Sequence, residues 1–481
     1  MNNSNYMNLE EFRKNAYSVI DFIVEYYKNI ENYPVLSQVK PREIYNQLPE
    51  HPNTIPDSFD EIMDDFTKIL MPGITHWQSP NFFAYFNSNI SLPSILGELL
   101  KSGLGTQCMM WQTSPAATEL EELVMKWLAE MIALPPEFTG VSQDTASIAT
   151  LCSILTAREK HSNYSVNTGG LSKNNFTVYC SVEAHSSIEK AVKIAGLGKN
   201  NLRKIAVDDN FSMNTEELEK TIIADKKNGF EPLCVVAAIG TTGTTSVDPI
   251  RKIGEICEKY NIWYHIDAAH SGNALILPEK RIFADGVELA DTFVFNPHKW
   301  LFTHFDFSAY FVKDKEALVR TFEMSPEYLK SIENKVNNYK DWGIQLGRPF
   351  RALKLWFVIR SFGLKGLQDK LRFHFELTEF ALNKFKEFNY FQIMAPVNFN
   401  VICFRYKPEN TEDETEINYL NEKLMNTINK SGKIFFTHTK LNGKITLRLV
   451  IGQTNIDYKN VSNAINLINS EIKNLQEYDN Q

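Results

Sequence analysis

The chain has 481 residues, of which 43% are hydrophobic and 22% charged, with a formal net charge of −8. That is the composition of a globular protein long enough for a large core and more than one domain. The acidic balance argues against a nucleic-acid binder, and no apolar run reaches the ~18 residues of a membrane span.

The start, Met1-Asn-Asn-Ser-Asn5, is polar and reads as no signal peptide. The six cysteines (108, 152, 180, 234, 257 and 403) form no CxxC and no zinc spacing with histidine. They read as buried free thiols, which suits a reducing cytosol and predicts a cytoplasmic protein. The sequon Asn163-Tyr-Ser165 is then without meaning.

Residues 1–85 read as a helical segment. Asn8 is a candidate N-cap, with Phe12, Ala16, Val19, Ile20, Ile23 and Tyr26 at helical spacing behind it. Tyr33-Pro-Val35 breaks the pattern; further helices fit 41–47 and 59–70. So many apolar faces on a short segment need a partner surface, on this chain or on a second subunit. The stretch 76–86 is dense in aromatics and fits an anchored loop or one wall of an aromatic pocket. Helices come next at 92–102 and 114–132, the second with Pro115 in its first turn and acidic residues early.

Between 140 and 320 apolar β-branched runs alternate with amphipathic segments. Strands are expected at 177–179, 204–207, 232–239, 263–266, 292–295 and 308–312, and helices at 146–160, 187–197, 215–227 and 250–260. This rhythm predicts an α/β unit with a mostly parallel sheet covered on both faces. Residues 322–345 are polar without a clear period, which predicts a functional loop closing over a site. A helix at 350–361 leads to a second, smaller α/β unit. Its expected elements are a helix at 366–385, strands at 401–405, 434–437 and 445–449, and a final helix at 458–475. The predicted division is 1–85, 86–362 and 363–481.

Two strand ends carry chemistry. Thr292-Phe-Val-Phe295 is followed by Asn296-Pro-His-Lys299, and Ile262-Trp-Tyr-His-Ile266 by Asp267. Open α/β sheets place ligands at the carboxyl ends of their strands. A lysine and a carboxylate on two such ends meet the needs of pyridoxal phosphate (PLP): an amine for the Schiff base and a carboxylate for the pyridinium nitrogen.

Five stretches then occur in order: Ser114-Pro-Ala-Ala-Thr-Glu119, Ala184-His-Ser-Ser187, Gly240-Thr-Thr242, His265-Ile-Asp-Ala-Ala269 and Asn296-Pro-His-Lys-Trp300. Together they resemble the motif set of the group II PLP-dependent amino-acid decarboxylases, nearest the aromatic-L-amino-acid branch. The resemblance runs from Leu9 to about Val461 and implies the fold type I architecture with a seven-stranded sheet. It implies that Lys299 holds the cofactor, Asp267 faces the ring nitrogen, His185 stacks on the ring and Ala269 packs against it. It places the phosphate at Thr145, Ala146 and Ser147, with Asn296 and His298 beside it and Thr242 nearby. It makes Tyr339 the acid that returns a proton to Cα, where relatives with Phe form aldehydes. It implies substrate contacts at Trp77, Tyr85, Phe86, Ser88, Met109 and Gly347, no metal, and a homodimer with its site at the interface.

The resulting expectation is decarboxylation of Trp, 5-hydroxytryptophan, Phe, Tyr or DOPA to the arylalkylamine. An aromatic aldehyde synthase is the alternative, then a histidine or glutamate decarboxylase, from which Trp300 and Gly347 lean away. A silent PLP-binding homologue comes last. Asn87, His304 and the run Gln107-Cys-Met-Met110 depart from relatives, so substrate rank does not transfer.

Overall fold

The structure is a computed structural model and describes residues 7–171, 175–324 and 336–479. Its larger sheet holds β1 (Thr139–Gln143), β2 (Phe176–Ser181), β3 (Leu202–Ile205), β4 (Glu231–Ala238), β5 (Trp263–Asp267), β6 (Thr292–Phe295) and β7 (Ser308–Val312). The order is β1-β7-β6-β5-β4-β2-β3, and only β7 runs against the others. Strands β2, β6 and β7 are buried along their whole length, as a sheet covered on both faces requires.

Six of these strands are expected from the sequence; β1 is not. Thr139-Gly-Val-Ser-Gln143 carries too little apolar character to read as a strand, and its burial comes from pairing with β7. Gly140 is there for space: a Cβ would lie 2.5 Å from Met125 and 2.7 Å from Phe311.

Behind the sheet, the helix Ala146–His161 is buried on nearly all sides and exchanges hydrogen bonds with the strands. Its Thr150 hydroxyl meets His265 Nε2 at 3.1 Å, and its Ser153 hydroxyl accepts from Trp263 Nε1 at 2.9 Å. These bonds pin the helix start, which bears Thr145–Ser147, beside the end of β5.

The smaller sheet contains β8 (Phe391–Ile393), β9 (Val401–Tyr406), β10 (Thr437–Leu441) and β11 (Lys444–Val450), antiparallel in the order β10-β11-β9-β8. The expected strand at 434–437 starts later than its apolar residues suggest. The hairpin register is set by Asn442-Gly443, both at positive φ, the two-residue turn that matches strand twist. Phe435 instead bridges to Phe82 and anchors the aromatic loop. The helices expected at 350–361 and 366–385 both form within Arg351–Lys386, separated by a kink at Gly363, whose φ 63 and ψ 169 are not helical.

The N-terminal helix Leu9–Lys28 has the capping box Asn8/Glu11 and buries no residue; Leu9, Phe12, Tyr17 and Val24 are exposed. The helix expected at 41–47 is only a 3-10 turn, Tyr45–Gln47, because Arg42 takes a positive φ. All six cysteines are free and buried. Among the described residues no helix is long and apolar enough to cross a membrane. Residues 325–335 of the expected closing loop lie outside the described residues.

Candidate active site

A cavity of about 210 Å³ opens at the carboxyl edge of the large sheet. Thr145, Ala146, Ser147, His185, Thr242, Asp267, Ala269, Asn296, His298 and Lys299 all line it. The sheet brings the two strand ends together: β5 pairs with β6 in parallel, Asp267 opposite Val294, so Asp267 and the turn Pro297–Trp300 leave the same edge.

Asp267 receives the Ala269 N–H on Oδ1 at 3.0 Å; among the described residues nothing donates to Oδ2. Lys299 makes no ion pair with the described residues, and burial pushes its ammonium below the usual lysine range, with the Asp267 charge pulling the other way. A neutral amine is thus accessible for nucleophilic work.

His185 accepts the Ser187 N–H on Nδ1 at 3.2 Å, with the Ser187 hydroxyl 2.8 Å from the same nitrogen. The ring hydrogen therefore sits on Nε2. Burial lowers the pKa of His185, against the pull of Asp267, and Lys299 and Lys204 lower it further. His298 likewise accepts the Phe307 N–H on Nδ1 at 2.9 Å, and burial, aided by Lys299, drops it to about 3. Both imidazoles are neutral.

Thr145 caps the helix Ala146–His161 by accepting the Ile148 N–H, and the helix start Thr145–Ser147 lines the cavity, a place suited to an anion. Among the described residues, Asn296 Oδ1 and Ser271 Oγ are buried without a hydrogen-bond partner. At Gly240 (φ 90) a Cβ would lie 1.9 Å from Ser271 Oγ, so the loop closes on this wall only as glycine. An unpaired buried amine, a carboxylate with a free oxygen, a neutral imidazole and an anion-binding helix start fit PLP group by group. Among the described residues no three His, Cys, Asp or Glu side chains cluster to hold a metal.

Of the six expected substrate contacts only Phe86 lines this cavity. Trp77 stacks on Tyr85 with centroids 5.7 Å apart, both partly exposed, and Tyr85 has φ 52. The Ser88 carbonyl accepts from Gln78 Nε2 at 2.5 Å. The Met109 carbonyl accepts the Lys340 N–H at 2.9 Å, which ties it to the Tyr339 segment instead. Gly347 is exposed, with a backbone outside the left-handed region, so its turn does not demand glycine.

Tyr339 is absent from the cavity wall. It is buried edge-to-face against Trp342 at 5.2 Å, under the Arg348 guanidinium at 4.7 Å, and Arg348 pairs with Glu121 at 2.7 Å. Burial, with Glu121 and Glu122 nearby, raises its phenol well above the ordinary range. Sequence reasoning missed Ser187, Thr241, His270 and Phe305, which also line the cavity. Ser187 stands in a stretch already singled out, two residues after His185, and His270 directly follows another, three after Asp267.

The model of the pyridoxal-dependent decarboxylase conserved domain matches residues 41–407. Tyrosine decarboxylase 3 of Petroselinum crispum is 42% identical over 470 residues, covering 95% of this chain and 90% of the relative. A phenylacetaldehyde synthase of Arabidopsis thaliana is 41% identical over 476 residues, covering 97% and 96%. The crystal structure of Oryza sativa TDC with PLP and tryptamine superposes with a TM-score of 0.95 at 34% identity, covering 98% of this chain and 99% of that one.

Proposed function

The chain belongs to the pyridoxal-dependent decarboxylase family, and from that premise we propose that it converts aromatic L-amino acids to arylalkylamines and CO2. The observation that carries this reading is the meeting of Lys299, Asp267 and His185 around one cavity. Bound PLP supplies the electron sink for the pair left behind when CO2 departs.

The chain's own groups do the rest. The start of the helix Ala146–His161 holds the phosphate, and Asp267 keeps the ring nitrogen protonated by opposite charge. His185, held by Ser187, would stack on the cofactor ring. Lys299 would hold the cofactor through its amine, the group that a substrate amine must replace. Tyr339 returns the proton to Cα, which requires the phenol to reach a cavity it does not line in its own chain.

That separation supports a homodimer with its site at the interface. The unburied faces agree with it: Leu92, Leu96, Leu99, Leu100 and Leu104 on the helix Leu92–Leu104, and the apolar residues of Leu9–Lys28. We read residues 1–85 as the segment packing on the partner, 86–362 as the PLP-binding domain and 363–481 as the small domain. A cytoplasmic location suits six free buried cysteines. A monomer with full activity in solution would contradict the dimer.

Incubation with single aromatic amino acids, scoring amine, CO2, aldehyde and peroxide, tests the function. Amine with equimolar CO2 and no peroxide is the expected result. Aldehyde with peroxide would favour the second reading, an aromatic aldehyde synthase, against which Tyr339 and His185 stand.

A further inference from the structure

Four rings lie nearly parallel from the cavity into the interior. Phe86 stacks on His270 with centroids 4.0 Å apart and planes at 6°. His270 stacks on Trp300 at 4.9 Å and 6°, and Trp300 lies 6.3 Å from His374 at 1°. Phe86 and His270 both line the cavity, and Trp300 follows Lys299 in the chain.

The stack is locked at its edges. His270 Nε2 donates to Asn400 Oδ1 at 2.8 Å, and Asn400 Nδ2 donates to the Ile451 carbonyl at 3.1 Å, which fixes the amide's orientation. Trp300 Nε1 donates to His374 Nδ1 at 2.9 Å. Burial, with Lys299 and Arg448 nearby, drops His270 to about 3, so a neutral ring fills the stack. One face of Phe86 is covered by His270; Lys299 Nζ lies 5.2 Å and the Arg448 guanidinium carbon 5.5 Å from its centroid, and the ring lines the cavity.

Resting on the decarboxylase reading above, we infer that His270 is a positioning residue for the substrate's aromatic side chain: by clamping Phe86 flat beside Lys299 it sets how wide a ring the cavity accepts. A neutral planar ring suits this place for two reasons. It gains stacking contact on both faces, and its edge hydrogen bond resists rotation. An aliphatic side chain would leave Phe86 free to tilt back.

The test uses the full-length, PLP-loaded enzyme. In His270→Ala, and in His270→Leu should the alanine variant not fold, kcat/KM for tryptophan relative to phenylalanine rises about tenfold, the scale of a small change in an apolar pocket. In His270→Phe, which keeps a flat ring but loses the hydrogen bond to Asn400, the ratio rises less than in His270→Leu. Dissociation constants of tryptamine and phenethylamine, read from the cofactor absorbance, shift in the same sense without turnover. A merely structural role would weaken every ligand in parallel. A ratio within about twofold of wild type in a folded, cofactor-loaded His270→Leu overturns the inference, since ring selection on this scale would be absent. Wild-type turnover tests the decarboxylase reading separately, and the amine-binding ratio decides the His270 inference even if no substrate turns over.

Discussion

The Lys299 cavity and the Tyr339 segment are built in opposite ways. Every expected cofactor contact comes from the edge of one sheet and the loops it carries, and all ten converge in a single chain. Tyr339, Met109 and Gly347 carry the expectations about product and substrate, and they sit outside that cavity in a niche with Trp342 and Arg348. Cofactor chemistry needs a fixed constellation, which strand ends provide. Product and substrate control needs groups that arrive with the substrate, which loops and interfaces provide. The first region is assembled within one chain; the second lies apart from the cavity.

The hardest blow to the first region is Lys299→Ala. Turnover should fall on the order of 10⁴-fold or more, as when a covalent nucleophile is lost. The lysine-bound cofactor absorbance should vanish while circular dichroism stays unchanged. Retained activity would sink the site assignment. In the second region Tyr339→Phe should cut amine formation by about 10²-fold, the scale of a lost general acid. Aldehyde and peroxide should replace the amine, with cofactor binding intact. Unchanged amine yield would remove Tyr339 from the reaction.

Titration separates the regions too. His270, His298 and His374 are held at about 3, and His265 at about 4, all by burial. Their unfolded value is near 6.5, so below it the unfolded chain binds more protons and stability falls with pH down to the folded values. Each contributes up to about 1.4 kcal/mol per pH unit in that window. Asp248 opposes them: burial raises it to about 6, so the native state binds its proton first and gains on acidification between about 6 and the ordinary carboxylate value. Four histidines outweigh one carboxylate. The urea midpoint should drop between pH 6.5 and pH 5, and His374→Gln should flatten that drop. An unchanged midpoint would mean that these imidazoles are not held neutral.

Much of the first region was legible because its signals are local. Phe293-Val294 and Tyr264-His265-Ile266 read as buried strands, and the residues just past the carboxyl ends of such strands share one sheet edge. β1 escaped because its burial is imposed by β7 and not by its own residues. The place of Tyr339 escaped because it depends on Arg348 and Glu121, far apart in sequence and paired only by the fold. His270 was in plain view after Ala268-Ala269, but its partners come from three distant segments (Phe86, Trp300 and Asn400), and no spacing rule connects them.

The finest test of the second region is Gly347→Ser. The position is exposed and its φ is not left-handed, so the backbone tolerates a side chain. The added Cβ would lie 3.0 Å from Gln107 Nε2, the far end of a flexible side chain whose Oε1 already accepts the Arg348 N–H at 2.8 Å. That amide can swing slightly and donate to the new hydroxyl. Unfolding free energy should therefore change by less than about 0.5 kcal/mol, as for a surface substitution. If Gly347 meets substrate in the working arrangement, the hydroxyl narrows the space for an indole and adds a polar group for a phenol. kcat/KM for tyrosine over tryptophan should then rise several-fold while cofactor absorbance holds. Equal loss for both substrates would make Gly347 a spacer in the segment, and the second region would be left with product control alone.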